Sequence, residues 1–63
     1  MTSISDLIDH EAEAIAARLT PLDALVLLTH CEALRGLTRD DPEVRAARLV
    51  IRNRVAEIRQ ALR

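Results

Sequence analysis

The 63-residue chain contains no phenylalanine, tyrosine or tryptophan, no lysine, a single glycine, a single cysteine and two prolines. Each shortage removes an option. Without aromatic rings the core has to be filled by Leu, Ile, Val and Ala, and nothing is at hand to stack on nucleic-acid bases. One cysteine, Cys31, excludes an internal disulfide. One glycine and two prolines leave little turn material for a β-fold. No stretch approaches the roughly 20 apolar residues of a membrane span. The opening MTSISDLIDHE has neither the basic start nor the apolar run of a signal peptide. A soluble cytoplasmic protein is therefore the expectation. The formal net charge of −1 exerts no overall pull toward nucleic acid or anionic lipid. All nine basic residues are arginine, a coding bias that hints at a GC-rich bacterial or phage genome.

What is abundant is Ala, Leu, Arg and Glu, all strong helix formers. A chain of this length is one domain at most. It buries only about 60% of its unfolded surface, so an isolated aliphatic core is marginal without a staple or a partner chain.

Three helices are predicted, at about 4–19, 21–35 and 42–62, joined by short connections that make neighbours antiparallel. The class is all-α, an antiparallel three-helix bundle, expected to assemble as a homodimer. Ser3 is placed to cap the first helix, with Asp6 three residues on. Ile4, Leu7, Ile8, Ala12, Ile15 and Leu19 form its apolar face. The second helix opens at TPLD, with Thr20 as N-cap, Pro21 at the first position and Asp23 at the third. Gly36 suits the left-handed residue after its last turn. The third opens at DDPEV with Asp41 as N-cap, and Val44, Ala47, Ile51, Val55, Ile58 and Leu62 recur at an average of about 3.6 residues.

Three features of this pattern point toward binding. The second helix carries two apolar arcs. The broad one holds Ala24, Leu27, Leu28, Cys31 and Leu34. The narrow one, roughly opposite, holds Leu22, Val26, Thr29 and Ala33, at i, i+4, i+7 and i+11. A lone bundle has no use for the second arc, so these four residues are expected to self-associate. Next, Arg45, Arg48, Arg52, Arg59 and Arg63 fall within about 60° of one another on the third helix. Such a stripe serves salt bridges to acids of the first helix or of a second subunit, docks an acidic partner protein, or follows phosphates. The absence of aromatics and of a helix-turn-helix pattern weighs against the last. Finally, Glu11 lies inside the apolar face of the first helix, between Leu7 and Ile15. It is expected to be buried beside an arginine, with the third helix as a source.

Catalytic constellations are missing. His30 and Cys31 are adjacent and therefore about 100° apart on a helix, without the second pair a zinc site needs. There is no glycine-rich phosphate loop, nucleophile elbow or paired-carboxylate cleft. No enzyme activity, metal or cofactor is expected. The sequence reads as a small helical protein–protein interaction module, an adaptor, inhibitor or regulator, with itself and another protein as partners. The alternative is a nucleic-acid-associated regulator that uses the arginine stripe.

Overall fold

The computed structural model describes residues 3–62, and over these the chain is all-helical with three helices and no strands. Helix α1 spans Ile4–Ala16, α2 spans Pro21–Thr29 and continues as a π-helical turn over His30–Leu34, and α3 spans Pro42–Ala61. The predicted starts hold because the caps are made. Ser3 Oγ accepts from the Asp6 N–H at 3.1 Å, and the Asp6 carboxylate accepts from the Ser3 N–H in return. Thr20 Oγ1 accepts from the Asp23 N–H at 3.1 Å, and Asp41 Oδ1 from the Glu43 N–H at 2.9 Å. Proline at the first position of α2 and α3 gives up only an N–H that the helix leaves unpaired anyway.

The ends depart from the periodic reading. Helix α1 stops at Ala16 and not at Leu19. The N–H groups of Arg18 and Leu19 donate to the carbonyls of Ile15 and Ala16, so the last turn tightens before the Thr20–Pro21 corner. The second helix does not stay α-helical to residue 35. The Arg35 N–H donates to the His30 carbonyl at 3.1 Å, an i→i+5 bond. Gly36 then takes φ +66°, and the Leu37 N–H closes on the Cys31 carbonyl at 2.8 Å. This closure is one residue wider than the usual helix-ending motif because the preceding turn holds an extra residue.

Both α1 and α2 pack along α3 and scarcely touch each other. The arrangement is open: two helices are laid on a third and do not close into a triangular bundle. The contact is made by small side chains. Ala12 of α1, Ala24 and Cys31 from the second helix, and Val44, Ala46 and Ala47 of α3 are buried; Val44 and Cys31 are the largest that are fully so. Small residues let the backbones approach closely, but they contribute little apolar area to stability.

The lengths do not match. At 1.5 Å per residue the 20 residues of α3 reach about 30 Å, whereas the 13 of α1 reach about 20 Å. From Arg52 to Ala61 every residue of α3 is exposed, and so is the capping Leu62. The molecule measures 40 × 32 × 17 Å, with a radius of gyration of 12.5 Å, against about 11 Å for a compact chain of this length. Its surface is 5035 Å², against about 4000 Å² for a compact monomer of this mass.

Candidate interaction surfaces

The seam of α3 is one stripe with two fates. Val44 and Ala47 are buried under α1 and α2, and Ile51 is half-buried. One and two turns on, Val55 is 42% exposed and Ile58 46% exposed, and Leu62 stands free at the end. The same 3.6-residue period that builds the core therefore presents a bare apolar ridge once its cover ends.

The narrow arc of the second helix is also bare. Leu22 is 71% and Val26 62% exposed, Thr29 and Ala33 are exposed, and Leu25 widens the patch. The arc is thus free of intrachain cover, as the two-arc pattern implies. Thr29 Oγ1 is turned inward onto its own helix, donating to the Leu25 carbonyl at 3.0 Å. Back-bonding of this kind bends helices, and it sits where the α-helix gives way to the π turn. In the broad arc, Ala24 and Cys31 are buried and Leu27 and Leu28 half-buried, but Leu34 is exposed. An i→i+5 turn advances each residue by less than 100°, which rotates Leu34 off the face that a uniform α-helix would give it.

Glu11 corrects a sequence expectation: it is exposed, with no ion pair among the described residues. Helix α1 packs on α3, and its buried or half-buried residues are Ile8, Ala12, Ile15 and Ala16. Ile4, Leu7 and Glu11 lie on a stripe about 100° away from that contact. With only one neighbouring helix, α1 has nothing to cover this second stripe.

The arginine stripe is divided. Arg45 reaches Asp9 at 2.5 Å and Asp40 at 3.3 Å, and its Nε donates to the Arg39 carbonyl at 3.0 Å. The hydrogen bond to Asp9, outweighing the desolvation that opposes it, pushes the Arg45 pKa above its ordinary value. Arg48 is paired with Glu32 of the π turn. Arg52 and Arg59, farther along, have no acidic partner among the described residues. Arg63 lies outside the described residues. Arg45, Arg48 and Arg52 line an open cleft of about 800 Å³ together with Ala12, Leu28, Leu49 and Ile51. Among the described residues the four salt-bridging arginines, Arg35, Arg45, Arg48 and Arg54, are at least partly solvated, so their pairs orient side chains more than they stabilise the fold.

Cys31 and Glu43 form a polar side-chain contact that reaches the core. The thiol donates to Glu43 Oε2 at 3.5 Å, and Arg35 donates to the same oxygen at 2.8 Å. Burial pushes the Cys31 thiol pKa up, and the hydrogen bond to Glu43 and its charge push the same way. This is the environment of a packing residue and not of a nucleophile. Among the described residues no three His, Cys, Asp or Glu side chains gather where they could hold a metal ion, and no helix is long and apolar enough to cross a membrane.

Comparison with known proteins adds no assignment: no family model, no curated protein and no solved structure matches the chain.

Proposed function

We propose that this chain is a non-catalytic protein–protein interaction module, homodimeric and cytoplasmic, that serves as an adaptor, inhibitor or regulator. The observation that carries the reading is the imbalance between core and surface. The fully buried side chains are mostly alanines, while Leu22, Leu25, Val26, Val55, Ile58 and Leu62 face solvent. A core of that size stabilises a fold weakly, and a partner that covers the exposed aliphatics adds about 25 cal/mol for each Å² of apolar surface removed from water. The α2 arc of Leu22, Val26, Thr29 and Ala33, exposed in the single chain, is the self-association surface that the two-arc pattern suggests.

The competing reading, a nucleic-acid-binding stripe, loses ground because Arg45 and Arg48 already hold Asp9, Asp40 and Glu32. Phosphate binding releases counterions, so it would weaken steeply with salt. Fluorescence anisotropy with labelled duplex DNA and with RNA at low salt separates the two. The interaction-module reading expects no binding at micromolar protein. Tight, steeply salt-sensitive binding that disappears in the Arg48→Glu, Arg52→Glu double variant overturns it.

A further inference from the structure

The bare half of α3 needs a cover, and its charge says which surfaces suit it. Between Arg52 and Leu62 it carries Arg52, Arg54 and Arg59 against Glu57 alone. Arg54 pairs with Glu57 within the helix at 3.2 Å, which leaves Arg52 and Arg59 to flank Val55 and Leu62 on one side of the ridge. Pairing this segment with its own copy would set arginine against arginine.

Helix α1 has the opposite character. It carries Asp6, Asp9, Glu11 and Glu13 and no arginine or lysine. Ile4 and Leu7 stand exposed on it, followed one turn later by exposed Glu11. Ile4, Leu7 and Glu11 are spaced i, i+3, i+7, the spacing of Val55, Ile58 and Leu62. The lengths agree as well: the ten exposed residues of α3 make about 15 Å of helix and α1 about 20 Å.

We propose that the protein self-associates by reciprocal exchange, the segment Arg52–Leu62 of each chain lying on the Ile4–Leu7–Glu11 stripe of the other. Val55 and Ile58 meet Ile4 and Leu7, and Glu11 takes Arg52 or Arg59 of the second copy. This deepens the homodimer reading above and moves the self-association surface away from the α2 arc, which stays free for a different protein. Two such contacts related by a twofold axis form a closed assembly. The surface in hand is sufficient. The chain exposes 5035 Å², about 1000 Å² more than a compact monomer of its mass, and a standard interface takes about 800 Å² from each partner. The exposed carboxylate in an apolar stripe, unexplained within one chain, becomes half of an intermolecular ion pair.

Charge reversal tests this in a way that simple truncation does not. Light scattering on the full chain at tens of micromolar is expected to give twice the 7.0 kDa chain mass. Glu11→Arg alone sets α1 against the basic segment, and Arg52→Glu with Arg59→Glu sets the segment against α1. Each variant is expected to bind itself about tenfold or more weakly, since like charges across an interface are repelled. Mixed one to one, the two variants are complementary at both contacts and are expected to recover the dimer. All three positions are exposed, and circular dichroism checks that each variant keeps its helicity. A monomeric wild type overturns both the exchange and the homodimer reading. A dimer that survives Glu11→Arg unchanged overturns the exchange and leaves the homodimer reading standing. Two weakened variants that fail to combine overturn the pairing of these charges.

Discussion

Val44 and Val55 share the α3 stripe and differ chiefly in burial, 0% exposed against 42%. Truncating each to alanine removes the same two methyl groups, and both sites gain helix propensity, by roughly 0.5 kcal/mol. The difference between the variants therefore isolates packing. For Val44→Ala, two carbons at about 0.8 kcal/mol each, plus a residual cavity, cost about 2–3 kcal/mol before the propensity gain. The net loss is about 1.5–2.5 kcal/mol, against a total of about 3–9 kcal/mol for a domain of this length. At roughly 4–8 °C per kcal/mol the midpoint should fall by about 6–20 °C. Val55→Ala should change little, and should not destabilise, when melts are followed by circular dichroism at a concentration where light scattering shows monomer. At concentrations that support the dimer, Val55→Ala should lose part of the concentration-dependent stabilisation that Val44→Ala retains. Equal midpoints for the two variants in the monomer range would refute the division of the seam into a covered and a bare half.

Gly36→Ala meets open space but holds φ +66°, so left-handed strain alone should destabilise by about 1 kcal/mol, read as a lowered urea midpoint with an unchanged denaturant slope. Cys31 should react slowly with a thiol reagent at pH 8, and Glu43→Gln should speed the reaction by removing the negative charge that helps raise its pKa. Because the folded thiol pKa is raised, its contribution to stability is complete below the ordinary thiol value and is lost as pH rises through the raised value; the wild type should therefore lose more stability in alkaline solution than Cys31→Ala. Val26→Glu, on an arc exposed in the monomer and outside the exchange contact, should leave the dimer mass unchanged, and a dimer lost by this substitution would return self-association to the α2 arc.

The helix starts were legible because short polar side chains and prolines act locally: Ser3, Thr20, Asp41, Pro21 and Pro42 occupy the cap and first-turn positions that their chemistry favours. Gly36 was legible for the same reason, since a left-handed residue is needed after the last turn and only glycine takes it without strain. The π turn was not. An i→i+5 register is chosen by backbone geometry and neighbouring contacts, and no side chain in HCEAL announces it, so the steady 100° count misplaced Leu34.

Glu11 was misread for a different physical reason. Periodicity reports that a helix has an apolar arc but not which part of it a neighbour covers, and that depends on how many helices pack there. A closed three-helix bundle would bury a wide arc of α1. In the open arrangement α1 packs on α3 with scarcely any contact to α2, and the covered stripe narrows to Ile8, Ala12, Ile15 and Ala16. The arginine stripe shows the same limit. Its spacing followed from helix geometry, but the acids that divide it do not share one origin: Asp9 comes from α1, Asp40 from the loop and Glu32 from the π turn. Glu32 reaches Arg48 only because the second helix carries that turn back beside α3. The stripe arginines left without an acid among the described residues, Arg52 and Arg59, belong to the segment where the apolar seam loses its cover. A single mismatch in helix length thus leaves the unpaired charge and the bare aliphatics on one surface, and an acidic, partly apolar helix is the chemistry that answers both.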